Sequence, residues 1–388
     1  MGSNNKRPLV AVLGGAGAMG RATVFDLSRS GHPLLLLEAD AKAAERIARR
    51  YGHGRARVAQ ADARDAADLA KRLAGVAAVV NCAPYSFNLA VMEAALRARC
   101  HYLDLGGLFH TTRIQLTHDD EFRRHGLLAV LGIGSAPGIM NVMARAAADP
   151  LKRVTAVRVY NGGADFTRRR APVAFGFAPA TVLDEFTLPP MVFEKGRFRA
   201  RQPLSGGEDF LFEVGLQRVH LSLHSEVATL PLSYRDKHIR ECCFKIAYDA
   251  TLIERLKLLI DLGLTDRRRG PRGVAPRDVL LDCFKRLPAP PDFIDDRDCL
   301  AVVVDGEDAK GPVRVQYELT ARPQRRPALS AVARDTGFPP AIVVRLILDG
   351  TIRERGVLPP ERCVPVRPFF AALAERDMRP RRTVTTPV

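Results

Sequence analysis

LGGAGAMG, residues 13–20, is the stretch whose reading decides the fold. Gly15, Gly17 and Gly20 stand in G-x-G-x-x-G spacing between an apolar run, PLVAVL, and a helical stretch that begins near Met19. Strand, glycine loop and helix, in that order, is what a dinucleotide-binding turn requires. Gly15 is expected to make the tight turn, Gly17 to let the backbone approach a pyrophosphate, and Gly20 to let the helix lie close on the strand. Ala18 and Met19 open the helix, whose unpaired N–H groups would face the phosphates. Glu38 ends the next apolar run and is predicted to accept hydrogen bonds from the adenosine ribose. A carboxylate there repels a 2′-phosphate, and Ala39 follows where an NADP enzyme would often carry Arg or Ser. NAD is therefore the expected cofactor.

Outward from this loop, apolar runs at 34–38, 57–61, 78–82, 102–105 and 127–131 alternate with amphipathic stretches at 21–30, 41–51 and 89–98. That alternation predicts an α/β fold, a doubly wound parallel sheet of Rossmann type. Ligands of such sheets bind at the carboxyl ends of the strands. Asp62 is so placed to meet the adenine amino group, and Asn81, Cys82 and Ala83 to pass the ribose or nicotinamide side. All four also read as plain strand-end turn residues. After about residue 152 the pattern changes to longer alternating strands, 154–160 and 193–201 among them, with a hairpin turn at Lys195-Gly196. Helical stretches at 250–262 and 277–285 interrupt them, which predicts a second α+β domain on a mixed sheet. The Arg/Gly/Pro-rich stretch 267–277 reads as a surface loop. Helical periodicity returns at 329–350 and GVLPPE breaks it. The expected division is a dinucleotide domain over 1–134 completed by C-terminal helices in 328–388, and a substrate and dimerisation domain over 135–327.

A second glycine loop, LGIGSAPGIMN at 131–141, repeats the strand–turn–helix device. Gly132, Gly134 and Gly138 are one residue too long for the dinucleotide spacing, and no partnering acid follows. The loop is expected to start a helix at Pro137, capped by Ser135, with amides around Gly138 open to an anion.

At 388 residues the chain is too long for one ordinary core. With 47% hydrophobic and 26% charged residues it reads as a well-packed soluble protein. No apolar run is long enough to span a membrane, and the amino-terminal stretch MGSNNKRPLV lacks a signal peptide's apolar segment. The seven cysteines are scattered and show no zinc spacing, so no metal is expected and a reducing, cytoplasmic location is. The formal charge of +16 raises nucleic acid as a partner. However, the arginine clusters at 168–170, 267–269 and 379–382 are dispersed and lack interleaved aromatics to stack on bases. An anionic small molecule drawn in by the positive field is the better expectation.

The glycine loop, NCAPYSFN, HYLDLGG and SAPGIMN, in that order, resemble the saccharopine dehydrogenase family, most of all its lysine 6-dehydrogenase branch. The similarity runs on through Gly162-Gly163, LDEFTLPPMVFEKGR, PRDVLLD and GTIRERGVLPPE. The resemblance implies a Rossmann domain, a mixed-sheet second domain carrying homodimer contacts, and a substrate cleft between them. It implies oxidative deamination of lysine or a related amine with NAD. Cofactor positions would be Gly15, Gly17, Gly20, Glu38, Asp62 and Asn81; cleft positions would be Tyr85, Asp104, Gly106, Pro137, Gly138 and Asn141. LHSEVATLPLSY departs from the lysine enzymes, placing His224, Ser225 and Glu226 where they have small neutral residues.

Oxidation at a carbon bearing nitrogen needs that nitrogen unprotonated, so a general base is required. Asp104, at the end of a central strand, and His224 and Glu226, from the second domain, are the candidates; Asp104 also reads as a cap of the next loop, and His224 and Glu226 as a solvated strand end. His101 and His110 read as structural, and Tyr85 either binds substrate or packs beneath its loop. Two alternatives stay open: imine reduction between an amine and an oxo acid, and a non-catalytic NAD-binding regulator, which titratable groups in the cleft argue against.

Overall fold

The structure is a computed structural model describing residues 7–168, 171–270 and 273–386. Arg169 and Arg170 of the cluster at 168–170, and Pro271 and Arg272 of the loop at 267–277, lie outside the described residues. The first half runs β1 (Val10–Leu13), α1 (Ala18–Arg29), β2 (Leu34–Glu38), α2 (Ala41–Tyr51), β3 (Ala56–Gln60), α3 (Ala66–Arg72), β4 (Ala78–Asn81), α4 (Asn88–Ala98), β5 (His101–Asp104), α5 (Leu108–Gln115), α6 (Asp119–Arg124), β6 (Leu128–Val130) and α7 (Ile139–Ala148). The middle runs β7 (Arg153–Asp165), α8 (Pro179–Thr187), β8 (Met191–Glu194), β9 (Arg197–Ala200), β10 (Glu208–Phe212), β11 (Gly215–Leu221), α9 (Glu226–Ser233), β12 (Glu241–Ile246), α10 (Ala250–Asp261), α11 (Pro276–Lys285), β13 (Asp296–Glu307) and β14 (Pro312–Ala321). The end adds the short pair β15 (Gln324–Arg325) and β16 (Ala328–Leu329), then α12 (Ala331–Leu348), β17 (Gly356–Leu358), α13 (Pro360–Cys363), α14 (Val366–Ala374) and β18 (Arg381–Thr385).

One sheet is parallel throughout, in the order β17-β6-β5-β4-β1-β2-β3. Its strands are apolar on both faces because helices cover both. Along β1, Val10 and Val12 enter the core shared with α1 and α12, while Ala11 and Leu13 pack with Leu69 and Met92 on the other face. The second sheet is mixed, in the order β10-β11-β12-β7-β13-β14-β18, with β8 and β9 attached through β12. Its centre is the antiparallel pair β7–β13, and β12 runs parallel to β7. This is the α/β arrangement with a second mixed-sheet domain that the alternation predicts. The hairpin turn also forms at Lys195-Gly196, both with positive φ, as a two-residue turn between twisted strands requires.

Two elements differ from the sequence reading. Residues 193–201 are not one long strand but parts of the paired strands β8 and β9. Residues 356–358, taken only as a break after a helix, form the parallel edge strand β17 beside β6. Three residues between turn-formers carry too short a pattern to show as a strand. The carboxyl-terminal segment is fastened to the first helix as well. Thr23 Oγ1 donates to the Gly337 carbonyl at 2.8 Å, and a Cβ on Gly337 would meet Met19 O at 2.5 Å. The glycine in α12 therefore lets it cross α1 at close range. Arg376 donates from Nε and Nη2 to the two oxygens of Asp26, each at 2.8 Å, with both side chains nearly buried.

Replacing Arg376 with Ala leaves the Asp26 carboxylate buried without its guanidinium, and the expected loss in unfolding free energy is about 3 kcal/mol. Replacing Arg381, largely exposed on β18, is expected to cost less than about 1 kcal/mol. Urea titrations of the two variants check this; equal losses would remove the buried pair from the account.

Candidate active site

The glycine loop lies at the carboxyl edge of the parallel sheet, between β1 and α1. Gly14, not Gly15, makes the tight turn: it has φ +78°, and a Cβ there would stand 2.8 Å from the Cys82–Ala83 backbone. Gly15 instead packs against Leu36 and Val24. The spacing counts glycines but does not say which of two neighbours turns left-handed. Gly20 is demanded by packing, since its Cβ would fall 2.1 Å from Gly14 O. Gly17 is different. It is exposed, and a Cβ there would meet only Gly14 O, at 3.4 Å, so its missing side chain leaves open the space before the first turn of α1. No side chain caps α1, no acid sits in its first turn, and Ala18 is exposed with Met19 half-buried. An uncapped helix end behind a bare glycine fits a pyrophosphate. Glu38 is held in place by the Ala16 N–H, which donates to its Oε1 at 2.6 Å. Burial raises its carboxyl above the ordinary value, against the pull of that amide. Asp62 is exposed and already chelated by Arg64, whose Nε and Nη2 donate to it, holding its carboxyl down at about 2.

Beyond β4 and β5 the structure uses several expected contact residues as supports. Asn81 is fully buried; its Nδ2 donates to Asn88 Oδ1 at 2.9 Å and its Oδ1 accepts from the Ala83 N–H at 3.1 Å. Its side chain shapes the loop and is closed off from solvent. Cys82 and Ala83 are half-buried, backing Gly14, with the Cys82 thiol pushed up to about 12 by burial. Asp104 is fully buried and accepts five hydrogen bonds: from Asn88 Nδ2 (3.1 Å), Tyr102 OH (2.9 Å) and Gln115 Nε2 (2.6 Å), and from the Gly106 (3.0 Å) and Gly132 (2.7 Å) amides. Burial raises its carboxyl while these donors oppose the rise. With five hydrogen bonds accepted and no exposure, Asp104 supports the loops around it, and its carboxylate is not open to solvent. His101 is structural too, its Nδ1 accepting from the Leu128 amide at 3.0 Å.

In the second glycine loop the amides around Gly138 are already taken. The Gly134 amide donates to the Pro137 carbonyl, the Gly138 amide to Asn141 Oδ1, and the Ile139 and Met140 amides to the Gly134 and Ser135 carbonyls. Ser135 does not cap the helix; its hydroxyl pairs with Thr336, and Asn141 does the capping while donating to Glu361 at 2.9 Å. Pro137 is wedged between Gly106 and Gly132, where a Cβ would come within 2.9 and 2.4 Å of its ring. Gly106, Pro137, Gly138 and Asn141 thus build the wall and present no open donor of their own.

The second domain contributes the titratable groups. Ser225 Oγ accepts from the Gly107 amide at 3.2 Å and donates to the Leu108 carbonyl at 3.3 Å, docking the chain between His224 and Glu226 onto the DLGG loop after β5. His224 Nδ1 is paired with Glu226 Oε2, and the imidazole stacks on Phe244 with centroids 3.8 Å apart. Burial lowers the imidazole pKa, but Glu226 and then Glu185 outweigh it, so it is raised overall. Glu226 Oε1 is buried and, among the described residues, has no hydrogen-bond partner. Glu185, absent from the sequence reading, completes the group: Tyr248 OH and Ser222 Oγ donate to its Oε2, and burial raises its carboxyl.

Its neighbour Asp184 joins the two domains. Tyr85 OH, from the loop after β4, donates to Asp184 Oδ2 at 2.6 Å, and Arg277 and Arg267 both donate to Oδ1. Tyr85 is half-buried, its phenol pushed up to about 12 by burial and then by Asp184. Adjacent acids within the apolar run VLDEF were the one available signal for Asp184 and Glu185.

Comparison with known proteins agrees with this architecture. Residues 10–130 match the model of the saccharopine dehydrogenase NADP binding domain, and residues 134–378 that of the saccharopine dehydrogenase C-terminal domain. The structure of saccharopine dehydrogenase (L-Glu forming) from Saccharomyces cerevisiae superposes with a TM-score of 0.72 at 17% identity, covering 98% of this chain and 100% of that one. A bulky-bulky ketone specific alcohol dehydrogenase from Comamonas testosteroni matches 33% of this chain and 73% of its own, at 16% identity and a TM-score of 0.28. The two family models together cover most of the chain, all of both sheets but the edge strand β18, and the chain belongs to the saccharopine dehydrogenase family.

Proposed function

We propose that the protein is an NAD-dependent dehydrogenase that oxidises a C–N bond of an amino acid, lysine or a related amine. The observation that carries this reading is the docking of Ser225 on the DLGG loop, which brings the His224–Glu226 pair to the sheet edge where the dinucleotide loop opens. A nicotinamide dinucleotide supplies the hydride acceptor; Gly17, Ala18 and Met19 would hold its pyrophosphate and Glu38 its ribose. Two acids, Glu38 and Asp40, stand at the end of β2 with no cation between them, which favours NAD over a 2′-phosphorylated cofactor.

His224 is the proposed base. Glu226 holds Nδ1, fixing the ring and leaving Nε2 as the nitrogen that exchanges a proton with the substrate amine. Phe244 keeps the ring plane fixed. Loss of hydride and proton from the amine gives an imine; water adds to it, and ammonia leaves. Glu185, beside the pair, keeps the surroundings negative enough for the imidazolium to form.

The base must be neutral to accept a proton, and its pKa is raised. Oxidation of lysine is therefore expected to rise with pH through a midpoint above the ordinary imidazole value. Glu226→Gln removes the raising charge and moves that midpoint down; His224→Gln lowers kcat/KM about 100-fold with NADH binding intact. The same pair stabilises the fold below pH ~6.5, and that contribution fades as pH rises through the raised pKa. A profile that keeps its midpoint in Glu226→Gln sinks the assignment. Fluorescence titration is expected to show NADH binding about tenfold or more tightly than NADPH, with Glu38→Ser narrowing the gap. Preference for NADPH in the wild type would overturn the cofactor reading.

A further inference from the structure

The amino-terminal ends of β7 and β12 meet the β8–β9 hairpin turn around an open cavity of about 510 Å³, lined by Arg153, Lys195, Gly196, His238 and Arg240. None of these residues belongs to the glycine loop or to the His224–Glu226 group. Backbone hydrogen bonds fix the enclosure: the Gly196 N–H donates to the Arg240 carbonyl at 3.2 Å, and the Arg240 N–H to the Thr155 carbonyl at 3.0 Å. Every side chain that lines it is basic, and the charge is hardly compensated. Glu307 Oε1 stands 3.5 Å from Arg153 Nη1, at the limit of a hydrogen bond. Arg153 Nε is buried and, among the described residues, has no hydrogen-bond partner. A buried guanidinium nitrogen without an acceptor needs an explanation. The side chains of Lys195, His238 and Arg240 are exposed and, among the described residues, make no hydrogen bond or ion pair. The neighbouring acids are committed elsewhere: Glu194 pairs with Arg201, Glu241 with Arg158, and Asp236 lines a different cavity. Two of the basic residues also occupy costly backbone. Lys195 and His238 have φ of +50° and +63°, a region that Gly, Asn or Asp enters more readily. The turns themselves ask for no cation at either position.

We propose that this cavity is a binding site for a small molecule that carries a diphosphate or similarly multiply charged phosphate group, separate from the nicotinamide cofactor. Arg153, Lys195 and Arg240 supply three permanent positive charges against the single carboxylate of Glu307. A monoanion would leave that excess standing, whereas a diphosphate cancels it. The donor set suits phosphate as well: two planar guanidinium groups that can each take two oxygens, one mobile ammonium, and an imidazole N–H. Like charges gathered without counter-ions repel one another, and a bound polyanion removes that cost. The volume lies within the range of small-ligand pockets, about 300–1,000 Å³. No aromatic side chain lines the cavity, so it lacks the stacking platform with which a protein holds single-stranded nucleic acid.

Calorimetric titration of the full chain with inorganic pyrophosphate tests the site, with NADH present throughout so that the glycine loop is already occupied. Saturable binding is expected in the wild type. Lys195→Asn, which suits the positive φ of the turn, and Arg240→Gln, at an exposed position, are each expected to keep the fold and to weaken that binding about tenfold or more, the loss of a charge-assisted hydrogen bond. Arg49→Gln, an equally exposed arginine on α2, is expected to leave it unchanged. Three results would overturn the proposal. One is the absence of saturable pyrophosphate binding. Another is wild-type affinity in both the Lys195 and the Arg240 variants, which would put the phosphate elsewhere. The third is a single-stranded oligonucleotide that binds more tightly than pyrophosphate and loses affinity in the same two variants, which would make the cavity part of a nucleic-acid surface. The outcome is independent of the dehydrogenase reading, which amine turnover tests.

Discussion

Asp104 is the residue on which the cleft depends. A carboxylate with no exposure is tolerable only when its oxygens are filled, and here five donors fill them. Those donors come from α4, β5, α5, the DLGG loop and the second glycine loop, so one charge fixes two loops and two helices at the carboxyl end of β5. Loss of any one partner leaves the others holding a less solvated anion, which makes the group act as a unit. Ser225 docks on the loop that this network shapes, and the position of His224 and Glu226 follows from it.

The electrostatics of the cleft then sort by domain. The parallel sheet offers an uncapped helix end and bare glycine, suited to negative phosphate. The second domain offers buried carboxylates around one imidazole on one side of α8 and an excess of guanidinium on the other. Asp184 and Glu185 are consecutive in α8, so a single helical turn sends one acid to the arginines and the next to Tyr248 and Ser222.

Much of this was legible from residues alone, for reasons that can be named. The parallel sheet is visible because its buried strands are short apolar runs separated by helices, and the glycine loop because three glycines in fixed spacing sit between strand and helix. His224 and Glu226 stood out only by the resemblance, as departures from the small neutral residues of the lysine enzymes. What stayed hidden depends on partners far away in sequence. Asp104 looks like any acid at a strand end until Asn88, Gln115 and Gly132 are seen converging on it. The amides around Gly138 look free until Asn141 and the Gly134 carbonyl consume them. Arg277 sits in what reads as the edge of a surface loop, and only the fold buries it.

The strand β17 has a consequence for how the chain is made. Synthesis delivers β1 to β6 first, and they stand as a sheet whose outer edge, Leu128–Val130, has no neighbour until Gly356–Leu358 arrives. In between, β7 to β14 of the mixed sheet must emerge, and only its edge strand β18 follows. A nascent chain therefore carries an open parallel edge, a template for wrong pairing, through most of its translation. The parallel sheet cannot be completed on the ribosome before most of the mixed sheet has been made. For this molecule the two sheets are distinct in architecture but joined in biogenesis.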